Sequence, residues 1–242
     1  MSQVNQDVFA SPIVAAAQQS ERAGFLRRVY LHLAGAIGLF ILIEGLIFTM
    51  VPQAQLMRLT AAMIQGYMWV VVLLAFMAVG WFAENMARNA HSLSTQYLGL
   101  GLYVLAEAVI FIPLLVLAQV YGAAEGENLI LEAAVITGLA FVGLTASVLM
   151  TGADFRWVRT GLIAATWIGL IVVFAGAIFG FTIGLLGIGL FIALACGWIL
   201  YNTSEIMHGY YTHQYVAAAL ALFASVALLF WYVLQFVMAS RD

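Results

Sequence analysis

The sequence predicts an all-α, polytopic membrane protein, a bundle of seven transmembrane helices. Two observations carry that reading. The first is the stretch between Arg159 and Glu205, 45 residues without a charged side chain. As one helix rising about 1.5 Å per residue it would exceed ~60 Å, roughly twice the ~30 Å hydrocarbon core of a bilayer. It therefore crosses twice, folding back near Gly180 to Gly184, where glycine permits a tight turn. The second is composition: 65% of the 242 residues are hydrophobic and 8% charged, too little polar surface to cover a soluble core of this size. Only three prolines interrupt the apolar runs, and these lack the alternation of a membrane barrel, so the spans are helical.

Residues 1–24 contain no apolar run of signal-peptide type and read as a short cytoplasmic tail. Residues 25–242 then form a single membrane domain, with spans at 26–50, 66–84, 96–120, 129–150, 160–180, 183–203 and 214–238. Each is close to the ~20 residues that a crossing needs. The longest connection, 51–65, leaves no room for a soluble domain.

Taken in order, the first span carries Glu44 in its outer part, placed to reach an interface or a crevice, with a structural role weighted above a functional one. Trp69 and Trp81 mark the ends of the second, as Trp157 marks the start of the fifth, where aromatic belts are expected. The third carries Glu107 near its middle, six residues before Pro113, whose missing N–H loosens the helix one turn away. An ionisable group at that depth costs several kcal/mol. It is either a protonated, hydrogen-bonded acid or a group that handles protons or cations. The fourth span, with Glu132, Thr137, Gly143 and Thr145, suits close packing. Asp154-Phe155 then reads as an N-cap that complements the dipole of the fifth.

The sixth span closes on Tyr201-Asn202-Thr203-Ser204-Glu205-Ile206-Met207-His208. Asn202 and Glu205 are three residues apart and share a face, with His208 one turn further along. That face is either a helix end fraying into water or a polar mouth, and Ser225 of the seventh span enters from the same side.

Charge sets orientation and narrows function. All eight basic residues are arginines. With a cytoplasmic N-terminus, Arg22, Arg27, Arg28, Arg88, Arg156 and Arg159 lie inside and only Arg58 and Arg241 outside, as the positive-inside rule requires. In a bacterium this places the chain in the inner membrane with its C-terminus in the periplasm. Without lysine there is no amine for a retinal Schiff base. G-x-S-x-G, H-E-x-x-H, C-x-x-C and Walker-type motifs are all missing, so no enzyme and no cofactor is expected. The lone Cys196 has no partner for an internal disulfide, and a net charge of −3 points away from nucleic acid. The partner that composition requires is the lipid bilayer.

Three stretches carry a family resemblance: Ala106-Glu107 through Ile112-Pro113-Leu114-Leu115; Thr137 to Thr145 leading to Thr151-Gly152-Ala153-Asp154-Phe155; and Ile199 through His208-Gly209. In their order and spacing the chain resembles the Bax-inhibitor (TMBIM) family, in particular its bacterial YccA-like branch, over roughly residues 25–242. The resemblance implies a bundle whose last helix is central. It also implies a pH-sensitive cation leak, for Ca²⁺ or H⁺, in which acids on spans six and seven pair and open with protonation. Those positions fall here at Asn202 and Ser225, so the acid-pair latch is missing, with Glu205 the one carboxylate able to stand in. Glu107, Asn202, Ser225 and Glu205 are the candidate ion path or gate, with Glu44, His208 and Asp154 secondary. The bacterial branch further implies an alternative: a non-transporting protein that restrains a membrane-bound AAA protease of the FtsH type.

Overall fold

The computed structural model describes residues 12–89 and 92–241. Eight helices follow one another: α1 (Gln19–Met50), α2 (Gln53–Ile64), α3 (Met68–Ala87), α4 (Leu93–Glu125), α5 (Leu129–Thr151), α6 (Arg159–Phe179), α7 (Leu185–His208) and α8 (Tyr215–Ala239). All except α2 are long and apolar enough to cross a membrane, which gives the seven spans that the sequence predicts. α2 occupies what the sequence reading left as the 51–65 connection. Its 12 residues reach only about 18 Å. It forms because Pro52 pre-sets its start, and because Leu56, Thr60 and Met63 recur at helical spacing on one buried stripe.

Local chemistry ends the long helices where the sequence supplies it. Ser92 Oγ accepts the Thr95 N–H at 3.2 Å at the start of α4, and Asn128 Oδ1 accepts the Leu131 N–H at 3.0 Å at the start of α5. Gly180, at φ 76°, ends α6 in the left-handed region and begins the fold-back to α7. This is the turn that the uncharged stretch demanded.

α8 is the inner helix, packed against α1, α3, α4, α5 and α7. α4 is buried to a similar extent, whereas α6 lies outside on α7 with Gly169 its only buried residue among those described. Phe111 of α4 binds the centre together through edge contacts with Phe40 and Trp231, at 5.2 and 5.0 Å between ring centroids, and by stacking on Phe230 at 5.6 Å. In lipid such contacts stabilise by packing rather than by escape from water. α3 and α4 approach most closely through small residues: Gly80, Ala83 and Ala87 form the buried face of α3, and Gly99 of α4 lies over the last two.

The described part of the expected tail packs against the bundle. Val14 N–H donates to the Tyr210 carbonyl at 2.9 Å, Thr212 N–H to that of Pro12 at 3.2 Å, and the fully buried Val14 side chain joins the cluster of Phe25, Val29 and Tyr210. α1 starts at Gln19 rather than at 26, since Gln19 to Arg22 extend the helix beyond its apolar part. At the opposite end Arg241 pairs with Glu127 and with Glu132, the latter at 2.9 Å, tying the end of α8 to the start of α5. These groups are substantially exposed, so the ties are weak ones.

Candidate functional site

A polar basin of about 560 Å³ opens at the end of the bundle where the chain begins. α7 supplies its inner wall with Tyr201, Asn202 and Glu205, and the turn into α8 adds Gly209, Tyr210 and Gln214. Arg88 enters from the end of α3. Asp154, Arg156 and Arg159 enter from the segment between α5 and α6. The helical spacing that placed Asn202 and Glu205 on one face thus puts both into one cavity.

Asn202 is one of the buried groups in this lining. Its Nδ2 donates to Ser225 Oγ at 2.7 Å and to the Ala221 carbonyl at 3.3 Å, while Ser225 Oγ donates to the Ala221 carbonyl at 2.9 Å. Asn202 and Ser225 are both buried, so this neutral network joins α7 to α8 out of bulk water. Ile199, one turn away on α7, packs with Leu229 and Val233 of α8 in one buried cluster.

Asp154 differs from the expected N-cap. It precedes a short 3-10 turn, Arg156–Val158, and accepts the Arg156 backbone N–H at 2.9 Å, a local turn one step ahead of α6. Its carboxylate also takes the Arg156 guanidinium at 2.8 Å. The hydrogen bonds from Arg156, side chain first and then backbone, hold the Asp154 carboxyl well below the usual carboxylate range. The pairing is therefore complete above the ordinary carboxylate pKa and is lost only in strong acid. Ser204, which sequence reasoning passed over, links this segment to α7: its Oγ accepts the Phe155 N–H at 2.9 Å and donates to Asp154 at 3.3 Å. A serine near a helix end gives no sequence signal of such a contact. His208 donates through Nδ1 to the Ser204 carbonyl at 2.9 Å and stands beside this network.

Glu205 is half-buried, and its carboxylate fills the space that a side chain on Gly209 would take. Among the described residues its side chain has no ion pair or hydrogen bond, and the same holds for the side chains of Arg88 and Arg159. Sequence reasoning counted those arginines only as markers of orientation. Burial raises the Tyr210 hydroxyl to about 12, so it stays a neutral hydrogen-bonding group at the rim.

Glu107 and Glu44 lie elsewhere. Glu107 is 5% exposed and faces the bundle interior, with Tyr103 one turn earlier on α4. Among the described residues no hydrogen bond or ion pair joins it to Asn202, Ser225 or Glu205. Glu44, expected to reach an interface or a crevice, is instead 6% exposed with both carboxyl oxygens unpartnered. Nearby, Leu56 of α2 packs with Ile112 and Val116 of α4 and with Ile47 and Phe48 of α1. No group of three or more potential metal ligands occurs among the described residues.

Seven apolar helices with α8 the inner one, a polar basin at one end and buried acids within define a polytopic helical membrane protein. The chain belongs to the Bax inhibitor family: the family described as inhibitor of apoptosis-promoting Bax1 matches residues 22–242. It is similar to Protein lifeguard 4 of Mus musculus, 29% identical over 240 residues that cover 98% of this chain and 94% of the relative. The Golgi anti-apoptotic protein of Vaccinia virus (strain Lister) is 28% identical over 242 residues, 99% of this chain and 95% of that one. An uncharacterized protein of Pseudomonas aeruginosa is 29% identical over 228 residues, 91% of each. No solved structure gives a significant match.

Proposed function

We propose that this Bax-inhibitor-family protein is a cation leak, for Ca²⁺ or H⁺, entered from the basin and closed at the Asn202–Ser225 hydrogen bond. The observation that supports this most is that bond itself, 2.7 Å long, in the lining of a polar cavity and between the two helices that would have to part. A neutral pair is worth about 0.5–1.5 kcal/mol and does not respond to protons between pH 5 and 8. Opening is therefore cheap and indifferent to pH through this pair, unlike a latch of two acids. Asp154 also stays ionised across that range. Glu205 and His208 are the remaining acid and histidine near the mouth, and Glu107 is the deep acid that the ion meets within the bundle.

The orientation proposed has the basin in the cytoplasm, because Arg88, Arg156 and Arg159 line it and Arg22, Arg27 and Arg28 lie at the same end on α1. A periplasmic C-terminus in a bacterial inner membrane follows. Reporter fusions after Arg241 should score as external, and a cytoplasmic score would remove one crossing.

Glu107→Gln keeps the shape and hydrogen-bonding capacity of the side chain but removes the ionisable group. The variant should fold with unchanged thermal stability and lose proton-linked flux in reconstituted vesicles. Unchanged flux with an unchanged pH profile would leave Glu107 only a packing role. Wild-type vesicles tight to both ions would remove the leak reading and leave the alternative, a protein that acts through a membrane-bound protease.

A further inference from the structure

We propose that the basin binds a phosphoethanolamine group, with its phosphate on Arg88 and Arg159 and its ammonium on Glu205. The inference starts from which charges in the cavity are already satisfied. Asp154 and Arg156 neutralise each other at 2.8 Å. Arg88, Arg159 and Glu205 line the same cavity and, among the described residues, none of their side chains makes an ion pair or hydrogen bond. Glu84, one turn before Arg88 on α3, makes no ion pair with it either.

Three charged side chains in one cavity, none of them in an ion pair, select a ligand by sign. A simple cation leaves the two arginines without a ligand, and a compact polyanion leaves the Glu205 carboxylate without one. A zwitterion with a phosphate at one end and an ammonium at the other satisfies all three. Guanidinium groups suit phosphate because their donors form a planar fork. The neutral lining of Tyr201, Tyr210 and Gln214 adds hydrogen-bonding groups between the charges. At about 560 Å³ the cavity is within the ~300–1,000 Å³ of small-molecule sites.

Position favours a lipid headgroup as the source. Arg88 follows the last residue of α3 and Arg159 is the first of α6, so both sit where a span leaves the hydrocarbon and headgroups begin. α6 packs chiefly on α7 and only slightly on α3. The same chemistry could come from free phosphoethanolamine in solution. This site stands whether or not the chain conducts ions, since binding is read without flux.

The test uses the full chain in detergent, titrated with short-chain phosphatidylethanolamine, short-chain phosphatidylglycerol, free phosphoethanolamine and inorganic phosphate, and read by native mass spectrometry and thermal shift. Phosphatidylethanolamine should saturate one site and bind about tenfold or more tighter than phosphatidylglycerol. The Arg88→Gln/Arg159→Gln double variant should weaken both lipids by at least about tenfold, and Arg88→Lys/Arg159→Lys should recover part of that loss. Glu205→Gln should lower phosphatidylethanolamine to the level of phosphatidylglycerol. Free phosphoethanolamine binding as tightly as the lipid would make the ligand a soluble one at the same site, and much weaker binding would make it a membrane lipid. Absence of saturable binding, inorganic phosphate binding as well as phosphoethanolamine, or a folded Glu205→Gln protein with its lipid preference intact would each overturn the proposal.

Discussion

Replacing Asn202 and Ser225 together with aspartate should give this protein a new pH-dependent transition. The two side chains already meet at 2.7 Å in a buried position between α7 and α8. Carboxyl groups set there cannot both ionise without strong mutual repulsion, so they share a proton and titrate as a pair. A new titration step in tryptophan fluorescence, in conformation-sensitive labelling at α7 and α8, or in flux is the expected result. The wild-type pair, an amide and a hydroxyl, supplies no such step. Each single aspartate variant keeps one neutral partner and should show none of the coupled behaviour. A double variant that folds, keeps both aspartates facing each other and acquires no titration would contradict this account of the latch.

The largest loss of stability is expected from Gly99→Leu. A Cβ built on Gly99 would lie 2.6 Å from the Ala83 carbonyl oxygen and 2.6 Å from the Ala87 amide nitrogen. Both are backbone atoms of α3, so accommodation requires the two helices to separate. Overpacking of this kind costs about 1–3 kcal/mol and sometimes more. Gly101, two residues on, is the internal control, because a Cβ there meets nothing within 4 Å. Gly101→Ala should be neutral or stabilising by up to about 1 kcal/mol through helix propensity. Unfolding in mixed micelles separates the two outcomes. A Gly99→Leu protein as stable as the wild type would mean that α3 and α4 do not pack as described.

What could be read from the sequence follows the physics of each feature. The spans were legible because a charge-free run longer than a bilayer is thick has no soluble alternative. α2 was not, since its stripe of Leu56, Thr60 and Met63 is too short and too mixed to register beside apolar runs of 20 residues or more. That omission also hid the contact of Leu56 with Ile47 and Phe48 near the end of α1. On α7, helical spacing alone placed Asn202 beside Glu205. The meeting of Asn202 with Ser225 is a contact between two helices that no local pattern encodes; span topology brings Ser225 in from the same side, and the family resemblance makes the two a pair. Ser204 and the unpaired Arg88 and Arg159 illustrate the remaining gap. Each becomes informative only once the α5–α6 segment, the end of α3 and the end of α7 are folded around one cavity.

Flux through the purified wild-type protein in sealed proteoliposomes, for Ca²⁺ and for H⁺ at pH 5 and pH 8, tests the central claim most directly. A protein-dependent leak that changes little between the two pH values is the result expected for a family member closed by the neutral Asn202–Ser225 bond. A steep pH switch that survives removal of Glu205 and His208, or vesicles that stay tight to both ions, would contradict it.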